Sequence, residues 1–554
     1  MKHRLLSVLL CAALLAAISP GVFAENDPPG DVLQDNFFRV TSAEGWHQGT
    51  LEHLIVVDDV GDGALRLFPG ETEGTYLSPE MTVPAFEYLV ASWSADTPEG
   101  TWVEVRARAY VDQKEQWSGW FSWGKSGIRI KRGSIDRSDG LVQMDTDTFT
   151  VLGSSGETAS QVQIEAVLHS DDPTASPCLR SLSGTMKNTL DGQAIPIYQP
   201  HGGEELPEKV LLAAPAYSQM ARDPAIGDSI CSPTSLCVML NQRGLDLCPE
   251  EVALQEYDFS YGFGNWSFTV AYAGAFGFDG YCHYADLDFV RQELAHGRSV
   301  ALSVRYSTNP NGANPYLENG AISNTNGHLI SIVGYETVDG VEYFYSNDSA
   351  ASDDVSCALR RYRADQLDAA WSSRIAYVVS SEPEENAGLA APQRIDGTLE
   401  PTGEAGKYRL VAEGAPVELE PSFAAKTNLL GAGTIFWVED GASAPAMPDP
   451  VPVTAANLPR EYLSGSGGLI TLNSSLQQSL SGKTGTVWII RNDGVTYRAP
   501  LTVEEYQPPV ESDPVTEPAD MQPADAPSFP VIYVVLAGAA LILAIVFLLA
   551  KKKR

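Results

Sequence analysis

A thiol, an imidazole and a carboxylate met in that chain order can act as nucleophile, base and orienter, and Cys231, His328 and Asp348 supply such a set. In "GDSICSPTSLCVMLNQRG", residues 227–244, Cys231 stands two residues before Pro233. Proline suits the first turn of a helix, where its missing N–H is not needed. Leu236, Val238, Met239 and Leu240 then continue a helix that is largely buried. A cysteine at such a start sits near the positive end of the helix dipole, which favours thiolate over thiol. A packed cysteine before an apolar helix is the bland alternative, so the meaning of Cys231 depends on what it meets.

The stretch "NGHLISIVGYETVDGVEYFYSNDSA" reads as a β-hairpin, with a buried strand from His328 to Tyr335, a turn around Asp339-Gly340 and a return strand from Val341 to Asn347. If residues 336–340 form the loop, Tyr335 pairs with Val341 and His328 stands opposite Asp348. Directly opposed residues have Cβ atoms about 4.5–5.5 Å apart, close enough for a carboxylate to orient an imidazole. A slip of one residue would put them on opposite faces and bring Asn347 forward as the orienter. The chemistry requires His328 to take or share the thiol proton while Asp348 fixes its tautomer.

The segments "AAPAYSQ", "CSPTSLCVML", "GNWSFTVAYAGAFG", "VRQELAHGRSVALSV", "GHLISIVGYE", "FYSNDSA" and "DAAW" resemble stand-alone relatives of the bacteriocin-processing, double-glycine peptidases, papain-like enzymes of cysteine peptidase family thirty-nine. The resemblance spans most of residues 210–378, and "ASWSADTPEGTWVEV" resembles domains found in front of such peptidases. It implies an α+β papain-like fold with Cys231 as nucleophile, His328 as base and Asp348 as orienter. Gln219 is then the oxyanion-hole donor beside the Cys231 backbone N–H. The sequence departs from the family pattern at Ser232, where Gly is usual, and at Ser349, where Pro is common. Gln219 also lies twelve residues before Cys231, a longer spacing than usual. No transport helices or nucleotide-binding signature accompany the set, which argues against a leader-processing exporter.

Three domains are expected to carry these residues. Residues 36–198 read as an antiparallel β-sandwich, because in "TWVEVRARAYV" Val103, Val105, Ala107, Ala109 and Val111 alternate with polar neighbours, as Val162, Ile164, Ala166 and Leu168 do in "QVQIEAVL". Its tryptophans Trp93, Trp102, Trp117, Trp120 and Trp123 belong either to core and edges or to a platform for a glycan. Residues 206–381 are the papain-like domain. Residues 388–506 read as a small β-domain, with Asn492-Asp493-Gly494 a hairpin turn.

The two ends set the expected location. Met1 to Ala24 has the basic start, apolar stretch and small-residue end of a signal peptide. Val531 to Ala550 is twenty residues without a charge, enough to cross a ~30 Å hydrocarbon core as a single transmembrane helix. Lys551 to Arg554 follow it and should stay in the cytoplasm. Between body and helix, residues 507–530 carry seven prolines, five acidic residues and no basic ones, the composition of an extended stalk.

A formal net charge of −35 argues against a nucleic-acid partner. The expected partner is a peptide or protein outside the cell. Six cysteines follow the signal peptide, and Cys237 with Cys248 is a candidate disulfide. Cys282-His283 lacks a second ligand pair, and "DDVGDG" at 58–63 lacks the full calcium-loop pattern, so no metal or other cofactor is assigned. Two other functions stay open: another thiol acyl-transfer enzyme, such as a transglutaminase or cell-wall amidase, and a surface binding protein whose peptidase-like domain is inactive.

Overall fold

The alternation in "TWVEVRARAYV" becomes the strand Thr101–Val111, with its five small apolar side chains fully buried. It pairs antiparallel with Ala159–Ser170, setting Val105 beside Ala166. A second sheet, built around Tyr88–Asp96 and Cys178–Lys187, covers the same apolar face. Trp93 and Leu182 of one sheet and Val105 and Ile164 of the other share one core, which makes a sandwich. This computed structural model describes residues 30–190, 195–380, 382–388, 393–419 and 430–507. The expected signal peptide, nearly all of the stalk, the membrane helix and the basic tail lie outside the described residues. Among the described residues, no helix is long and apolar enough to cross a membrane.

The tryptophans divide between two jobs. Trp93 and Trp123 are core, with Trp123 Nε1 donating to the Asp147 carbonyl at 2.7 Å. Trp117 and Trp120 hold the Arg108 guanidinium at 4.7 and 5.1 Å from their ring centres. Trp102 stacks on His169 at 4.5 Å and carries Lys125 at 3.9 Å. Their rings are thus engaged with cations and an imidazole of the same domain.

The central domain sets the helix Cys231–Gln242 against an antiparallel sheet. Leu236 and Leu240 share a core with Ala301, Leu329, Val333 and Tyr377 of that sheet. Two of its strands, Asn324–Val338 and Val341–Asn347, form the expected hairpin in a different register. Val338 pairs with Val341, so the loop is only Asp339-Gly340, both with positive φ, 51° and 76°. That is the two-residue turn whose twist matches a hairpin, and Asp-Gly is its signature. The five-residue loop read from the sequence is therefore wrong. Carried through unbroken, the new register would set Asp348 opposite Ser331, on the face away from His328. A bulge between Ile332 and Gly334 shifts the ladder, pairing Ser331 with Asn347. The next residue, Asp348, then falls on the His328 face.

The C-terminal strands Thr484–Arg491 and Val495–Thr502 turn at Asn492-Asp493-Gly494, with Ile490 opposite Thr496. This domain is fastened to the central one by buried charge. Arg460 meets Glu250 at 3.1 Å, and Arg222 reaches the Ala456 carbonyl at 2.7 Å. Removing one partner of such a pair would leave the other charge buried alone, which costs about 3–5 kcal/mol.

Candidate active site

Cys231 is the first residue of its helix, and no side chain caps that end. The first-turn N–H groups therefore lack intrahelical partners and face outward as a positive pole. All six described cysteines are free, and Cys231 alone is partly exposed. Burial by itself would push the Cys231 thiol up. A hydrogen bond from His328 and its charge, with the backbone N–H groups of Leu329 and Ser232, outweigh that and hold the thiol below its usual range.

His328 Nε2 stands 2.8 Å from Asp348 Oδ1, so its other nitrogen serves the thiol. Burial opposes a charge on His328, but the Asp348 carboxylate and the neighbouring thiolate raise the imidazole to about 10. Burial likewise opposes charge on Asp348, and the charge of His328 overcomes it. The Tyr362 hydroxyl, 2.7 Å from Oδ2, and the Ala350 N–H, 3.1 Å from Oδ1, complete the support. The carboxyl ends below its ordinary range. All three shifts run toward the charged forms, thiolate, imidazolium and carboxylate.

Asn347, the other possible orienter, does a different job. Its amide donates to the Ala214 and Pro215 carbonyls at 3.1 and 2.9 Å, and its oxygen accepts from the Leu359 N–H at 3.0 Å. It fastens the chain as it leaves the strand, which lets Asp348 turn toward His328.

Two family models match the chain. Residues 36–187 match the peptidase C39 N-terminal domain, and residues 211–375 match the Peptidase_C39 like family. The chain is a relative of the C39-like peptidases. No curated protein matches it. Among solved structures it is similar to a recombinant stem bromelain precursor, at 12% identity over 32% of this chain and 71% of that one, TM-score 0.22. It is also similar to a mannan-recognising carbohydrate-binding module, TmCBM27, at 13% identity over 27% of this chain and 90% of that one, TM-score 0.14.

Within the C39-like domain Gln219 is tied to the set indirectly. Its Oε1 accepts from Ser349 at 2.8 Å and its backbone N–H donates to the Ser349 carbonyl at 2.8 Å. Its Nε2 donates to the Gly227 carbonyl at 2.9 Å, which leaves the second amide hydrogen for another acceptor. The long spacing before Cys231 is taken up by a loop that folds back on itself, with the Gly227 N–H on the Asp223 carbonyl at 2.8 Å.

Sequence reasoning missed the wall beside Cys231, which two domains build together. The loop 257–265 turns around the buried Asp258 carboxylate, which accepts from the N–H groups of Ser260 at 2.8 Å and Tyr261 at 3.2 Å. From the sandwich, the Ser134 N–H donates to the same carboxylate at 3.1 Å, and Asp147 accepts from the Trp266 N–H at 2.6 Å. Tyr261, 58% exposed, lies within the electrostatic reach of Cys231. No local pattern announces contacts between residues more than a hundred positions apart.

Cys237 and Cys248 are separate free thiols, so the candidate disulfide is absent; Cys237 Sγ lies instead 3.4 Å from the Leu247 carbonyl. His201, Glu204 and His296 gather into a cluster that the sequence reading did not single out. Their imidazoles stack at 3.7 Å, and one ligand atom from each residue lies within 4.8 Å of the others.

Proposed function

We propose that the protein is a cysteine peptidase that cleaves peptide bonds through an acyl-enzyme on Cys231. The observation that carries this is the contact of the free Cys231 thiol with His328, whose other nitrogen is held by Asp348 at 2.8 Å. The C39-like family supports cysteine peptidase activity. In this reading the Cys231 thiolate attacks the scissile carbonyl, and His328 passes its proton to the leaving amine. Water then takes the place of the amine, with His328 accepting its proton. Asp348 keeps the imidazole oriented and stabilises its charged form. The oxyanion is received by the Cys231 backbone N–H, an unpaired first-turn donor, and by the remaining amide hydrogen of Gln219.

The free thiol in contact with its base speaks against an inactive binding protein. We further propose surface display, with the body outside the cell, carried by the N-terminal signal and C-terminal apolar segment. The test is a broad peptide library incubated with the wild-type ectodomain beside Cys231→Ala, with products read by mass spectrometry. Cleaved peptides from the wild type alone are expected. Crosslinked or amine-tagged products would replace hydrolysis by transfer, and identical digests from both proteins would sink the proposal.

A further inference from the structure

Behind Cys231 lies a carboxyl that the triad does not use. Glu256 ends the helix Pro249–Glu256 and is 1% exposed. One of its oxygens has no hydrogen-bond partner, and the other meets the Thr269 hydroxyl. Thr269 Oγ1 lies 2.8 Å from the Asn265 carbonyl and 3.0 Å from Ser232 Oγ, which is 2.8 Å from the Tyr377 hydroxyl. Ser232 directly follows Cys231.

Burial and the unpartnered oxygen set the state of the carboxyl. The Thr269 hydroxyl has one proton and faces two acceptors, Glu256 and the Asn265 carbonyl. A buried carboxylate with an unpartnered oxygen bears a cost of unsolvated charge that the neutral acid avoids. Burial holds the Glu256 proton up to about 8 against the pull of the Thr269 hydroxyl, the Gly264 N–H and Arg132, and the neighbouring Cys231 adds to the rise. The charged and titratable groups around it are Cys231 on its helix, Tyr377 on the strand Ile375–Val379, and Arg132 of the sandwich, itself shared with Asp258 and Tyr272.

We propose that Glu256 is a positioning residue for the nucleophile: protonated, it fixes the first turn of the Cys231 helix through Thr269 and Ser232, and deprotonated, it places a negative charge behind the thiolate. This rests on Cys231 being the nucleophile. Coupling between two such groups is reciprocal, so the charge repels the thiolate and any incoming anion.

The test uses the full chain and two alkylating agents, neutral iodoacetamide and anionic iodoacetate, between about pH 6.5 and about pH 9, a span bracketing ordinary imidazole and thiol titration. Peptide mapping confines the readout to Cys231. The ratio of the two rates should rise severalfold with pH in the wild type and stay level in Glu256→Gln, whose amide has the shape of the acid and no proton to lose. A level ratio in the wild type, or a rise retained in E256Q, overturns the proposal. If E256Q does not fold, Thr269→Val decides: the carboxylate loses its one hydroxyl partner, so the rise moves to higher pH, and a rise at unchanged pH overturns the role. Alkylation needs no peptide. Absence of cleavage would therefore sink the proposed function alone, and an active enzyme with a level ratio would sink only the role of Glu256.

Discussion

Cys231 and Cys237 lie on one helix, six residues apart, and differ in almost everything that matters to a thiol. Cys231 opens the helix, is partly exposed and meets an imidazole, and its thiol lies below the usual range. Cys237 is fully buried, and burial pushes its thiol well above that range, with Cys248 adding to the effect. Reactivity here is a property of the helix end and of the partner from the sheet. The residue type contributes only the sulfur.

The sharpest way to break this contrast is to exchange the two losses. Cys231→Ala should abolish peptide turnover, since nothing else at that place can form the acyl-enzyme. Cys237→Ala should leave turnover intact and cost only packing, roughly 0.5–3 kcal/mol in denaturant unfolding. A folded Cys237→Ala without activity would end the comparison.

His328→Ala should be nearly as damaging as loss of the thiol, because one imidazole both generates the nucleophile and protonates the leaving group. Groups acting as a unit are not additive. The double variant with Cys231→Ala should therefore be no worse than either single change in a turnover assay.

Asp348→Asn keeps the shape and removes the charge that stabilises the imidazolium, so its loss should be large but smaller. Asn347→Ala should instead lower thermal stability while the folded fraction keeps its rate. The reverse pattern would make Asn347 the orienter. Gln219→Ala should follow with a loss of about 10²–10³ in turnover if its free amide hydrogen meets the oxyanion; full retention would remove it from the site.

The smallest effect is in pH. Limiting iodoacetamide should label Cys231 ahead of Cys237, Cys248 and Cys282, and should go on doing so below the pH at which ordinary thiols ionise. The sign follows from the lowered Cys231 thiol, which keeps its thiolate as pH falls, and from His328, which stays protonated until pH rises toward about 10. Equal labelling of Cys231 and Cys237 at neutral pH would erase the distinction.

Much of this was legible in the chain. Period-two alternation places the buried side of Thr101–Val111, and Pro233 with the apolar run after it places the helix that starts at Cys231. The pairing of His328 with Asp348 was legible only as a possibility. Its real register depends on a bulge at Val333, where the chain gains a residue without any change in composition. The free state of Cys237 and Cys248 was likewise hidden, because spacing shows that two cysteines are near and not how their sulfurs point. Asp147 and Ser134 left no trace at all, since their partners Trp266 and Asp258 belong to another domain.

One contact has a bearing on how the chain comes to be made. Phe268 belongs to the helix Trp266–Ala271 of the peptidase domain, yet its ring packs in the core of the sandwich, edge-on to Trp93 at 6.2 Å, while the neighbouring Ser267 hydroxyl bonds to the Ala91 carbonyl at 2.7 Å. Synthesis proceeds from the N-terminus, so every strand of the sandwich is complete before the residue that plugs it exists. For that interval the nascent domain carries an open apolar socket, and the arrival of Phe268 closes it and docks the next domain in the same event.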